Sequence, residues 1–241
     1  MTTKDRKVYL FDVDGTLTEP RQKITSEFKY FFLEWMKDKI VYLVSGSDIE
    51  KIRQQIPEEI ERQCAGIYCC MANEYYEDGK LIYSNKFKPP KNLLSDLEEI
   101  IRQSDYPVKM GKHIEHRPGM INFSVVGRNA NLQERNNYFK YDCGNKEREK
   151  IVERIGSIYP EFDFAVGGSI SIDIYPKGQD KSQVIPWIRK RHGDAPVVFM
   201  GDRTAYPGND YAIVAAMARH ENYCWYQVES WQETQNYLMQ E

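Results

Sequence analysis

Two aspartates one residue apart, Asp12 and Asp14, are the residues of this 241-residue chain whose types and spacing most directly indicate chemistry. They follow the apolar run Val8–Phe11, which predicts a buried parallel strand, and they precede a Gly-Thr pair. Two carboxylates this close repel each other unless a divalent cation, a shared proton or a nearby lysine compensates. The pair therefore indicates a phosphoryl-transfer aspartate at the carboxyl end of a strand, and the alternative is an ordinary Asp-Gly turn.

Other polar groups follow predicted strand ends or helix starts. These groups are Ser45 with Ser47, Lys181, Asp202, and Asn209 with Asp210. In a doubly wound sheet they would meet in one crevice. There Asp12 suits a nucleophile and Asp14 a general acid and base, while Lys181 offers a positive charge to the phosphoryl oxygens. The carboxylates of Asp12 and Asp202 are the hard oxygen ligands that Mg²⁺ prefers.

The elements that must position these groups alternate between strand and helix patterns at both ends of the chain. Between them, from residue 81, short strand patterns and two amphipathic helix patterns, the second over 133–155, indicate an antiparallel sheet. We therefore predict an α/β fold with a doubly wound, mainly parallel sheet, built from residues 1–80 and 180–241. An inserted α+β cap, residues 81–179, would contain the antiparallel sheet and bind the substrate.

Composition limits the classes of partner. The formal net charge of −3 gives no general attraction to nucleic acid or to an anionic membrane surface. No apolar run approaches the roughly 20 residues that a membrane span requires, and residues 1–7 do not resemble a signal peptide. Five cysteines without a CxxC pair favour free thiols. We expect a cytoplasmic protein that binds neither nucleic acid nor membrane.

Five segments resemble the eukaryotic-type phosphomannomutase family of the haloacid dehalogenase superfamily, in that family's order and over nearly the full chain. They read FDVDGTLTEPRQKIT, GSDIEKI, GMINFSVVGR, GGSISIDIYPKGQDK and GDRTAYPGND. The resemblance implies reversible conversion of mannose 6-phosphate to mannose 1-phosphate, which would supply GDP-mannose synthesis. It further implies Mg²⁺ and a hexose 1,6-bisphosphate activator. By the same resemblance Asp12 is phosphorylated, Asp14 is the acid and base, and Mg²⁺ is held by Asp12, the main chain of Asp14, and Asp202.

A mutase must also hold the phosphate that is not reacting, and arginine forks match phosphate geometry. The positions that match the family's substrate contacts are Arg21 in the core and Arg117, Arg128, Arg135, Ser171 and Asp173 in the cap. Ser47 and Asn209 are further substrate-binding candidates from their places at strand ends. The resemblance also implies a homodimer through the cap.

Two alternatives stay open. Ser45 stands where the family usually has Gly, while many phosphatases of the superfamily carry Ser or Thr there, so a sugar-phosphate phosphatase could use the same residues with water as acceptor. A non-catalytic sugar-phosphate-binding protein is the other alternative, and the complete set of Asp12, Asp14, Lys181 and Asp202 argues against it. Residues 215–217 lack the acid of the family's accessory metal loop, so we expect one Mg²⁺ rather than two.

Overall fold

The computed structural model describes residues 6–241, and its strands form two separate sheets. The strands are β1 (Val8–Phe11), β2 (Ile40–Val44), β3 (Gly66–Cys69), β4 (Glu74–Glu77), β5 (Lys80–Ser84), β6 (Ile114–Arg117), β7 (Met120–Phe123), β8 (Phe162–Gly167), β9 (Ser171–Pro176), β10 (Val197–Gly201) and β11 (Tyr223–Gln227). The helices are α1 (Ser26–Met36), α2 (Ile49–Gln55), α3 (Glu58–Gln63), α4 (Lys91–Gln103), α5 (Leu132–Asn145), α6 (Glu147–Ile158), α7 (Val184–His192), α8 (Tyr211–Met217) and α9 (Trp231–Leu238).

The larger sheet has seven strands in the order β11-β10-β1-β2-β3-β4-β5. Its first five strands are parallel, and β4 and β5 extend it as an antiparallel hairpin. In β1, Tyr9 and Phe11 pack with α1, α2, α3 and α9 on one face, while Val8 and Leu10 pack with α7 and α8 on the other. Burial on both faces explains the unbroken apolar run, and it confirms the predicted doubly wound fold.

The smaller sheet has four antiparallel strands in the order β6-β7-β9-β8, as predicted for the cap. Its strands alternate: Ile121 and Phe123 in β7 pack under α4, α5 and α6, whereas Asn122 faces the other way. The same alternation in β9 separates Ile172 from Asp173. Because side chains alternate across a strand, one face forms an apolar core and the other presents polar groups towards the larger sheet.

Two sequence predictions differ from the structure. The helix predicted over 133–155 is two helices, because Lys146 adopts a left-handed φ of 53° that ends α5 and redirects the chain into α6. The strand predicted at the start of the cap is β5, which pairs with β4 in the larger sheet. This strand crosses the predicted domain boundary between residues 80 and 81. The domain limits themselves stay a prediction, and residues 1–5 of the predicted core lie outside the described part of the chain.

Within residues 6–241, no helix has both the length and the apolar character that crossing a membrane requires. All five cysteines are unpaired, which confirms the expectation of free thiols. Three of them are buried, and Cys143 and Cys224 are exposed.

Candidate active site

One cavity between the two sheets is lined by nearly all the residues that the sequence singled out. They are Asp12, Asp14, Arg21, Ser47, Asp202 and Asn209 from the side of the larger sheet, and Arg117, Arg128, Arg135, Ser171 and Asp173 from the side of the smaller one. Lys181 does not line the cavity, since it is fully buried and bonded to Asp12. The predicted convergence is therefore observed, while the chemical role of each residue stays a prediction.

At the carboxyl end of β1, a buried ion-pair cluster surrounds Lys181. Asp180 caps a short 3-10 turn, Lys181–Gln183, and the lysine at its start reaches Asp12. Lys181 Nζ donates to Asp12 Oδ1 at 2.5 Å and to Asp210 Oδ1 at 2.6 Å. Asp210 Oδ2 also accepts a hydrogen bond from the main-chain N–H of Arg203. Both aspartates are thus held in fixed positions, and the ammonium offsets part of their repulsion.

The carboxylates of Asp12, Asp202 and Asp210 each place an oxygen within 4.8 Å of the others. One ammonium against three carboxylates leaves the cluster net negative. Burial raises the pKa of Asp12 well above its ordinary value, and burial together with Asp210 raises the pKa of Asp202 to about 7. A divalent cation would offset this charge, and hard oxygen donors are the ligands that Mg²⁺ prefers. The residues therefore fit the predicted metal.

The metal candidates differ in one respect from the predicted set. The side chain of Asp14 does not belong to the carboxylate cluster, so its predicted part stays limited to its main chain. Asp210 joins the cluster instead, although its sequence position predicted only a polar residue near the crevice. Its position behind Lys181 depends on how α8 packs against the 3-10 turn, which no local pattern indicates.

The Asp14 carboxylate is held by three hydrogen bonds. Its Oδ1 accepts from the main-chain N–H of Arg21 at 2.7 Å and from Gln55 Nε2 at 2.9 Å, and its Oδ2 accepts from Ser47 Oγ at 3.2 Å. Gln55 was not predicted. It continues the buried stripe of Ile49 and Ile52 at a spacing of three residues, and a glutamine on such a stripe is the signal that could have identified it.

The three cap arginines are anchored by the protein. Arg117 Nε donates to Glu115 Oε1 and Arg128 Nε to Glu115 Oε2, at 2.7 and 3.1 Å. Arg128 also donates to Ser171 Oγ, and Arg135 donates to the carbonyls of Ala130 and Arg128. Each guanidinium has five N–H groups and uses two of them in such bonds, since Arg117 adds one to the carbonyl of Gly46. The remaining N–H groups are suited to an anion.

Burial and nearby positive charge at Arg128 and Arg135 point to the same kind of ligand. Burial, with Arg117 adding to it, lowers the pKa of Arg128 to about 10. Burial, with Arg21 and Arg128 adding to it, lowers the pKa of Arg135 to about 9. A bound phosphate would relieve both effects, because it supplies the opposite charge and further hydrogen-bond acceptors.

Solved structures with a similar fold share little sequence with this chain. An IMP-nucleotidase of Plasmodium falciparum superposes with a TM-score of 0.63 at 14% identity, over 98% of this chain and 68% of the other. A haloacid dehalogenase-like hydrolase of Bacteroides thetaiotaomicron gives a TM-score of 0.56 at 13% identity, over 98% and 99% of the two chains. These matches show that the fold is of the haloacid dehalogenase type.

Similarity in sequence identifies the family, which similarity in fold does not. The family model for eukaryotic phosphomannomutase matches residues 28–240. A phosphomannomutase of Spinacia oleracea is 34% identical over 227 residues, which cover 90% of this chain and 89% of the relative. One of Drosophila melanogaster is 33% identical over 220 residues and 87% of each chain. The chain therefore belongs to the eukaryotic phosphomannomutase family.

Proposed function

We propose that this chain interconverts mannose 6-phosphate and mannose 1-phosphate through a phosphorylated Asp12. The observation that supports this function best is a cavity with two groups of residues that both suit phosphate. The side of the larger sheet contributes Asp12, bonded to the buried Lys181, and the side of the smaller sheet contributes Arg117, Arg128 and Arg135. A phosphatase needs only the first group, whereas a mutase must hold one phosphate while it transfers another.

In the proposed reaction, a hexose 1,6-bisphosphate first phosphorylates Asp12. The carboxylate forms a bond to phosphorus as the bond from phosphorus to the sugar oxygen breaks, and Asp14, in its acid form, gives a proton to that departing oxygen. Asp14 then removes a proton from the free hydroxyl of a bound hexose monophosphate, and that oxygen takes the phosphoryl group from Asp12, which forms a bisphosphate. This bisphosphate turns, and Asp12 takes its other phosphoryl group while Asp14 protonates the departing oxygen, so the isomeric monophosphate leaves and Asp12 is phosphorylated again. Lys181 keeps a positive charge beside the nucleophile throughout.

The remaining predicted residues hold the substrate. The three arginines would bind the distant phosphate, and Arg21, Ser47, Ser171, Asp173 and Asn209 would contact the sugar or the reacting phosphate. Mg²⁺ would be held by Asp12, the main chain of Asp14, and Asp202, with Asp210 beside them. When bound, it would offset the repulsion between the phosphate and the carboxylates.

The proposal extends to the cellular role. We propose a cytoplasmic enzyme that supplies mannose 1-phosphate for GDP-mannose synthesis and binds no nucleic acid or membrane. Residues 1–80 and 180–241 would form the catalytic core, residues 81–179 the substrate-binding cap, and two caps would meet in a homodimer.

Phosphorus NMR tests the activity directly. Purified protein with Mg²⁺ and mannose 1-phosphate is followed with and without glucose 1,6-bisphosphate, and mannose 6-phosphate and inorganic phosphate are measured together. The mutase produces mannose 6-phosphate only with the bisphosphate and releases little inorganic phosphate. Asp12→Asn abolishes turnover, while Asp38→Asn, the same change at an exposed position, does not.

Inorganic phosphate as the main product would contradict the mutase and support a sugar-phosphate phosphatase. Ser45 would then be the first residue to examine. It lines the cavity and is buried, and its Oγ accepts a hydrogen bond from the main-chain N–H of Ser47. Ser45→Gly restores the residue that is usual in the family at this position and should reduce hydrolysis if the hydroxyl helps to position water.

A further inference from the structure

Asn122 lies on the polar face of the cap sheet, in the middle of β7. Its side chain is in register with Glu115 on β6 and with Asp173 on β9, so the three residues form one row across the sheet. Only 2% of its surface is exposed, and it lines the same cavity as the three arginines. Its position is thus fixed by two neighbouring strands rather than by a loop.

The bond to Asp173 determines which end of the Asn122 amide remains available. Asn122 Nδ2 donates to Asp173 Oδ1 at 2.6 Å. Turning the amide over would bring its oxygen against the carboxylate and lose this bond, so the orientation is chemically determined. Asn122 Oδ1 is then buried, and within residues 6–241 no group donates a hydrogen bond to it. A buried acceptor without a donor costs about 1–3 kcal/mol, so a ligand that supplies a donor is favoured.

The other polar groups of the cavity show which kind of donor is wanted. The arginines can only donate, and they suit the oxygens of a phosphate. A sugar hydroxyl needs an acceptor, and the cavity offers a second one of the same kind, because Asn209 Oδ1 is also buried without a donor among the described residues. One amide belongs to the cap and the other to the loop before α8. The cavity thus combines donors for phosphate with acceptors for hydroxyl groups.

We propose that Asn122 is a specificity-determining residue, whose Oδ1 accepts a hydrogen bond from a ring hydroxyl of the bound hexose phosphate. The assignment rests on the proposed function and adds a residue to it. The same amide orients Asp173, so Asn122 acts on the sugar in two ways. Phosphate esters that lack the ring hydroxyl would leave Oδ1 unpaired and would be used poorly, because a site built to bond a hydroxyl discriminates against its absence.

The test couples a change in the protein to a change in the substrate. Asn122→Leu, which is close in size but cannot accept, is compared with the unchanged protein on mannose 1-phosphate and on its 2-, 3- and 4-deoxy analogues. We expect Asn122→Leu to lower kcat/KM for mannose 1-phosphate about 10- to 100-fold. With at least one deoxy analogue the two proteins should differ much less, because the bond is already absent there. Asn137→Leu, on the exposed side of α5, is the matched control.

Equal losses on mannose 1-phosphate and on all three analogues would overturn the assignment and leave Asn122 with a structural role only. Asn122→Ala repeats the comparison if the leucine variant does not fold, since it cannot clash. Inhibition by inorganic phosphate reports on the arginines and should not change. Calorimetry of mannose 1-phosphate and its three deoxy analogues with both proteins makes the same comparison from binding affinities, without turnover. If the unchanged protein binds the sugar phosphates but does not convert them, the proposed function is contradicted. The binding measurements then still test the role of Asn122.

Discussion

At the scale of single residues, the candidate site depends on charges that are paired inside the protein. Lys181 is 0% exposed and bonds two carboxylates, so its desolvation is offset by Asp12 and Asp210 and its pKa is raised. Removing one partner of a buried ion pair costs far more than the pair contributes, because the other charge is left unpaired. Lys181 therefore affects stability as well as chemistry.

Replacing Lys181 by Met should lower the free energy of unfolding by about 3–5 kcal/mol at neutral pH in the presence of a chelator. The loss should be smaller in acid, since burial raises the pKa of Asp12 and its protonation removes one of the two charges that the ammonium no longer offsets. Urea unfolding of both proteins at several pH values measures this. Lys177→Met, an exposed lysine nearby in sequence, should leave the free energy unchanged, and an equal loss at all pH values would contradict the argument.

Gln55 holds the carboxylate of Asp14 in its orientation. Gln55→Leu keeps the side chain buried in the apolar stripe of α2 but removes the hydrogen bond to Asp14 Oδ1. We expect kcat to fall about 10-fold, since a displaced acid and base transfers protons less efficiently, with little change in KM. Steady-state kinetics with the hexose phosphate decides it. A rise in KM at unchanged kcat would mean that Gln55 acts on substrate binding instead.

At the scale of elements, the helix ends position several of these residues. Asn131 caps α5 by accepting from the main-chain N–H of Glu134 at 3.0 Å, and the Glu134 side chain accepts from the N–H of Asn131 in return. Arg135 follows within the same first turn and bonds back to the carbonyl of Asn131. Loss of the cap would therefore loosen the turn that carries a phosphate-binding candidate.

Asn131→Ala should cost about 1 kcal/mol of stability and raise KM for the hexose phosphate. Thr25→Ala is the matched control, because Thr25 caps α1 through the main-chain N–H of Phe28, and α1 carries none of the cavity residues. It should cost a similar free energy without affecting KM. Urea unfolding and steady-state kinetics are both needed. Equal KM values for the two variants would show that the α5 cap has no part in binding.

The end of α7 gives a pH-dependent element. Tyr42 on β2 lies 2.9 Å from His192 Nε2, and burial, with Arg191 adding to it, lowers the pKa of His192. Because the pKa of His192 is lower in the folded protein than in the unfolded chain, His192 contributes stability at pH values above its unfolded pKa. This stability is lost as the pH falls from the unfolded pKa through the folded pKa.

His192→Gln keeps an acceptor for Tyr42 but does not titrate. Between about pH 7 and about pH 5, its free energy of unfolding should fall less than that of the unchanged protein. His116→Gln, at an exposed histidine, should follow the unchanged protein. Parallel curves for all three proteins would contradict a lowered pKa of the partly buried His192.

At the scale of the whole molecule, the two sheets are joined by polar contacts around the cavity. Arg117 Nη1 donates to the carbonyl of Gly46 at 2.7 Å, and Arg203 Nη2 donates to the carbonyl of Gly168 at 2.6 Å. Glu115, which also anchors two arginines, pairs with Lys51 on α2. Two of the phosphate-binding candidates of the cap, Arg117 and Arg128, are thus linked to the core through the Glu115 carboxylate, and Arg117 is also linked to it directly.

Lys51→Met should raise KM for the hexose phosphate, because it removes the link between Glu115 and the core. The stability loss should stay near 1 kcal/mol or less, since both partners are partly solvated. Lys29→Met removes an ion pair with Glu59 that joins α1 to α3 and does not involve the cap, so it should not change KM. The effect of Lys51→Met should also shrink at high salt, where such pairs are screened. Identical KM values for the two variants would remove this role from Lys51.

The sequence by itself determined which residue types stand at strand ends. From these patterns the doubly wound core, the antiparallel cap sheet and the residues of the cavity could be predicted. Local patterns suffice there because burial and alternation repeat along each strand. Other features only the tertiary structure decided. Asp210 beside Lys181, Gln55 on Asp14 and the unpaired oxygen of Asn122 depend on contacts between distant segments. The break at Lys146 and the place of β5 depend on packing as well, which overrides local propensity.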